Sequence, residues 1–201
     1  MAQSPGIERL FPERPSGYVT DVAGVVDPAS RQEMESLVQR LRGATGAEIA
    51  IVTLPTIGDY APVDVAVALG RKWGVGAAAE IGDERRNAGL VVLLVPRREG
   101  DDNSGHIFIA TGKGVEGIVT DAEAGRVRDR MVPELRRGEY GPGLLTGVRS
   151  LVSTLARGFG VEDSTLVDRD RQLAAERGRP SATTLLLGLF VGMVVLSLVI
   201  S

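Results

Sequence analysis

The sequence predicts an α/β protein, a three-layer α/β/α sandwich around a small mixed β-sheet, with a C-terminal transmembrane helix after it. Three observations carry this reading. Two continuous apolar runs, "AEIAIVTLP" (47–55) and "GLVVLLVP" (89–96), have the composition of strands buried on both faces. An amphipathic helix pattern lies between them, so strand, helix and strand form a parallel βαβ unit. A further run, "HIFIAT" (106–111), follows the polar connection "RREGDDNSG" and reads as the second arm of a hairpin, which makes the sheet mixed. Finally, no charge occurs from Ser181 to Ser201, and "LLLGLFVGMVVLSLVI" lies inside that stretch. Twenty helical residues rise about 30 Å, roughly one hydrocarbon core.

Taken in order, "MAQSPGIERLFPERPSG" has no apolar core and is not a signal peptide. Its prolines predict an extended, flexible segment over residues 1–16. Asp27-Pro28 reads as N-cap and first helical position. Met34, Leu37, Val38 and Leu41 follow at helical spacing, and Gly43 or Gly46 closes the helix. Ala66, Leu69 and Trp73 give a second helix its apolar face, from near Pro62 to Gly74 or Gly76. Asp121 is expected to cap a third helix carrying Val127 and Met131. Residues 140–159 form a fourth, with Leu144, Leu145, Val148, Leu151, Val152 and Leu155 as its stripe. The domain therefore covers 17–160, a charged linker 161–181, and the membrane span 182–201. Gly188 and Gly192 within the span are spaced for close helix approach.

Composition narrows the chemistry. With 43% hydrophobic and 24% charged residues the chain is globular, and a net charge of −3 gives no electrostatic footprint for nucleic acid. The absence of cysteine excludes disulfides, thiolate metal sites and a cysteine nucleophile. "IATGKGVEGIVTD" (109–121) resembles a phosphate loop at first sight. A P-loop needs GxxxxGK followed by Ser or Thr, whereas Lys113 is followed by Gly114 and the upstream glycine is missing. The third glycine of a dinucleotide fingerprint is also missing. His106 is the only histidine, which excludes paired-histidine zinc motifs within one chain. No GxSxG elbow occurs, and the acidic run at Asp168 lacks EF-hand spacing. What remains is acidic. Asp21, Glu116 and Asp121 sit at turns or element boundaries and are expected to share one cleft at one sheet end, where oxygen donors suit calcium or magnesium. Simpler roles stay open: a helix cap for Asp121, a solvated turn for Glu116, a loop for Asp21.

Several segments, in order, resemble the TPM domain family, the thylakoid and periplasmic acid-phosphatase-like domain. They are "VTDVAGVVDPAS", "TGAEIAIVTLPTIGDYAPVDVAVALGRKWGVG", "RNAGLVVLLVP", "IFIATGKGVEGIVTD" and "PELRRGEYGPGLLTGV", together spanning about residues 17–155. The resemblance implies a mixed sheet between helices, an export signal before the domain and a membrane helix after it, so the chain reads as cut at both ends. It implies calcium or magnesium binding or acid phosphatase activity, and a role in maintaining membrane protein complexes. Carried over by position, the metal ligands are Asp21, Asn87, Glu116 and Asp121, with Gly112 and Gly114 as turn glycines. One departure stands out: the family's Asn-Asn-Gly reads Asn87-Ala88-Gly89 here.

The function expected is a membrane-anchored, extracytoplasmic module that binds a divalent cation and a protein partner. One alternative is a metal-assisted acid phosphatase, with Lys113 steadying the phosphate. The other is a structural adaptor with no ligand. Arg169, Arg171, Arg177 and Arg179 precede the span and no Lys or Arg follows it, which by the positive-inside rule faces the domain to the cytoplasm. A cleaved export signal would override that bias, and the expectation is a domain outside the cytoplasm. Deletion of residues 182–201 should shift the protein from the membrane to the soluble fraction on cell fractionation; a shortened chain that still sediments with membranes would remove the span.

Overall fold

The computed structural model describes residues 6–76, 87–100 and 104–161. The elements run β1 (Val19–Asp21), α1 (Pro28–Thr45), β2 (Glu48–Thr53), α2 (Pro62–Trp73), β3 (Gly89–Val95), β4 (His106–Thr111), α3 (Asp121–Arg136) and α4 (Tyr140–Gly158). The strands lie in sequence order, β1-β2-β3-β4. The first three are parallel, and β4 returns antiparallel to β3 through the hairpin. Every residue of β3 is buried. A strand covered on both faces has no use for alternation, which is why its run is uniformly apolar.

The two faces are covered differently. Ala50, Val52, Val91, Leu93 and Val95 pack with Val65, Ala66 and Leu69 of α2 in one core. The alternate residues Ile49, Ile51, Leu90 and Val92, all buried, point to the opposite face. There α1 and α3 each pack against α4, α1 also meets β2, and α3 also meets β4. The predicted three-layer sandwich is the observed one. The chain steps from β1 to β2 and from β2 to β3 in the same direction, yet α1 and α2 lie on opposite faces. The two crossovers therefore have opposite hands, and one departs from the right-handed rule.

Caps set the helix ends. Asp27 accepts a hydrogen bond from the Ser30 amide at 2.9 Å, Pro28 opens α1, and Gly46 closes it at φ 78°. Gly74 closes α2 in the same left-handed conformation. For α3 the expectation needs correcting. Thr120 is the cap, accepting from the Glu123 amide at 3.3 Å, and Asp121 is the first helical residue.

A second correction concerns residues 1–16. The described part of that segment is docked, with a 3-10 turn at Ile7–Arg9. Ile7 and Phe11 are buried in the α2 core. Phe11 meets Trp73 edge-to-face at 5.9 Å, and the Trp73 indole N–H donates to the Pro12 carbonyl at 3.1 Å. Lys72 reaches Glu8 at 3.2 Å and Glu13 at 2.9 Å. β1 carries no strand signal of its own in the sequence; its three residues pair with Ile51–Thr53.

Among the described residues no helix is long and apolar enough to cross a membrane. The expected span at 182–201 and almost all of the expected linker lie outside the described residues. Docking of the N-terminal segment predicts that Phe11→Ala lowers stability by about 2–4 kcal/mol, read as a shift in urea midpoint; an unchanged midpoint would show the segment undocked.

Candidate functional site

Asp21 ends β1, where the chain leaves the sheet toward α1. Its side chain is only 4% exposed. It accepts hydrogen bonds from the Val25 amide at 3.1 Å, the Val26 amide at 3.0 Å and the Thr53 hydroxyl, and Arg31 lies 3.4 Å away. Burial pushes the Asp21 carboxyl up, but the bonds from Thr53, Val26 and Val25, with the Arg31 charge, outweigh it and hold the group below the usual carboxylate range. Thr53, itself fully buried, accepts from the Ala23 amide at 3.2 Å, and its carbonyl accepts from the Val22 amide at 3.0 Å. Asp21 and Thr53 thus pin the loop 22–26 to the carboxyl end of the sheet. Arg31 and Thr53, which complete this cluster, carry no motif; only their contacts reveal them.

The other end of the sheet is a backbone junction. The Asn87 amide donates to the Gly76 carbonyl at 2.9 Å, the Gly112 amide to the Gly89 carbonyl at 2.7 Å, and the Gly114 amide to the Asn87 carbonyl at 3.2 Å. A Cβ on Gly76 would collide with Gly89, one on Gly89 with the Val75 carbonyl, and one on Gly112 with the Asn87 carbonyl. Asn87 is left-handed at φ 63°, a conformation asparagine tolerates better than most residues. Ala88 beside it is fully buried. The position where the family pattern has its second asparagine is therefore a packing position here.

Over this junction opens a groove of about 580 Å³ between α2 and the β3–β4 edge. Ala66, Gly70, Val91 and Ala110 line its apolar part; Arg71, Asn87, Lys113 and Glu116 supply its polar groups. The sequence-predicted residues are thereby divided. Asn87, Gly112 and Glu116 line the groove, and Gly114 is tied to Asn87 beside it. Asp121 is exposed at the first turn of α3 and does not line it. Asp21 is at the opposite end. It pairs with Thr53, which pairs with Leu94, whereas Thr111 pairs with Leu90. Four strand positions, about 13 Å, separate the two ends before the chain even reaches Gly112. The shared cleft expected for Asp21, Glu116 and Asp121 does not form. Among the described residues no three acidic or histidine side chains gather as a metal site would require.

The fold and this glycine junction can now be set beside known proteins. A family model of the TPM domain matches residues 19–154. The chain belongs to the TPM domain family. It is similar to the N-terminal domain of a protein from P. gingivalis solved in solution, at 34% identity and TM-score 0.59, over 72% of this chain and 85% of that one. It also shares its fold with the N-terminal domain of a Corynebacterium glutamicum protein, at 18% identity and TM-score 0.52, over 77% and 85% of the two chains. A third solved structure, BA42 from the psychrophilic bacterium Bizionia argentinensis, is similar at 14% identity and TM-score 0.52, over 69% and 86%. No curated protein matches the chain.

In this TPM domain, Gly112→Ala should cost about 2–4 kcal/mol because the new Cβ meets backbone. Gly117→Ala, with nothing within 4 Å of its Cβ, should change stability by no more than about 0.5 kcal/mol; equal unfolding midpoints for the two would refute the junction. Asp21 predicts an acid limb. Its folded carboxyl titrates below the free value of 3.8, so its stabilisation is complete above that value and is lost as pH falls through the lower, folded one. Asp21→Asn should lower neutral-pH stability by about 2–4 kcal/mol and flatten the acid limb; an acid limb as steep as that of the unmodified protein would place the effect elsewhere.

Proposed function

We propose that this TPM domain is a membrane-tethered, extracytoplasmic docking module whose ligand lies in the groove between α2 and β4. The observation that carries the reading is the groove itself. Its volume is in the range of ligand and peptide sites. It combines an apolar floor with a few polar groups, Arg71, Asn87, Lys113 and Glu116, and Val67 stands on its rim 37% exposed. β4 is the edge strand, with no neighbour beyond it among the described strands, so an extended segment can pair with its backbone while side chains enter the groove.

Two other readings have less support. Calcium and magnesium take six or more oxygens, and Glu116 is the one described carboxylate lining the groove. Asp21 is already engaged by three hydrogen-bond donors and the Arg31 guanidinium. For phosphatase chemistry, no serine, cysteine, aspartate or histidine is among the described residues lining the groove.

A photo-crosslinking residue in place of Lys113 tests the module in cells. It should give a discrete adduct that Val67→Arg reduces at least tenfold, while the same probe at the exposed Arg130 of α3 gives none. An adduct indifferent to Val67→Arg would sink the groove as the docking site.

A further inference from the structure

A second cavity, of about 250 Å³, lies at the opposite end of the sheet from the groove. It is enclosed by the end of β3, the start of β4, the last turns of α3 and the first residue of α4. Leu94, Val95, Ile107, Val132 and Leu135 make its walls apolar. Its polar side chains are those of Arg97, Arg136, His106 and Tyr140.

No carboxylate is among the described residues that line it. The nearby acids Glu134 and Glu139 both turn to Arg137, at 4.0 Å and 2.7 Å. Neither guanidinium, of Arg97 or of Arg136, forms an ion pair with a described residue. The Tyr140 hydroxyl oxygen accepts from the Arg97 amide at 3.1 Å, which fixes its position and leaves its proton to donate. Two arginines, a tyrosine and a histidine beside apolar walls are a donor set that suits a tetrahedral oxyanion. Crevices at the carboxyl ends of parallel strands are where open α/β sheets receive ligands.

We propose that this cavity is an oxyanion site, which takes a phosphate group through Arg97, Arg136, Tyr140 and His106. It is independent of the groove and of the docking reading: nothing in the groove touches it. The apolar walls Leu94, Val95 and Ile107 select a phosphate monoester with a small apolar body over free phosphate.

Because His106 is the only histidine in the chain, its ring resonances identify themselves in a proton NMR spectrum of the 201-residue protein in detergent. At fixed pH and ionic strength, inorganic phosphate should move them saturably. Phenyl phosphate should saturate at a concentration at least threefold lower, and acetate should be weaker than either. In the Arg97→Gln/Arg136→Gln variant the phosphate shift should fall at least tenfold, with an unchanged methyl spectrum reporting an intact fold. Free phosphate saturating as readily as phenyl phosphate would support the site and assign it to the free ion. Shifts that follow ionic strength alone, or that survive in the double variant, would overturn the proposal. Should the double variant fail to fold, Tyr140→Phe removes the hydroxyl donor alone, and an unchanged phosphate midpoint there would overturn it equally.

Discussion

The close approach of three backbone segments at the amino end of β3 constrains everything around it. Gly76, Gly89 and Gly112 lie so near one another's chains that no side chain fits between them. This contact sets where α2 ends, where β3 begins and where β4 turns away. The groove exists because these residues are small: the same absence of side chains that lets backbones meet leaves space above them. Three of the segments that carry the family resemblance, "WGVG", "NAG" and "TGKG", converge here. Their shared property is architectural before it is chemical.

The carboxyl end of the sheet is built on the opposite principle. There a buried carboxylate gathers backbone amides, a hydroxyl and a guanidinium, and the loop 22–26 is held by charge and hydrogen bonds. An isolated buried charge is costly, but one with its acceptor sites filled holds a single loop conformation firmly. Asp21 is a structural member for that reason.

Much of the fold was legible because the signals were local. The runs that became β2 and β3, the Asp27-Pro28 cap and the Gly74 terminus each carry their cause within a few residues. β1 was not legible, because three residues show no periodicity and its strand character comes from pairing with β2. Residues 7–13 read as flexible because proline content is visible, whereas their contacts with Lys72 and Trp73 lie about sixty positions away. Thr120 and Asp121 are both competent caps, and composition alone does not choose between neighbours. The split of the predicted site was more nearly within reach. A hairpin after a parallel strand reverses direction, so Gly112 to Glu116 had to fall at the end opposite Asp21. Arg97, Arg136 and Tyr140 offered no such clue, since only the folded chain brings the end of β3 beside the end of α3.

β4 carries one more consequence. Its central residues, Ile107, Phe108, Ile109 and Ala110, are wholly apolar, with no lysine, proline or bulge among them. Edge strands of soluble proteins commonly carry such features as protection against pairing with copies of themselves. This one is guarded only at its ends, by His106 and Thr111. At high concentration the domain should therefore be prone to self-association along this edge, and local crowding, more than folding stability, would set how much of it stays dispersed.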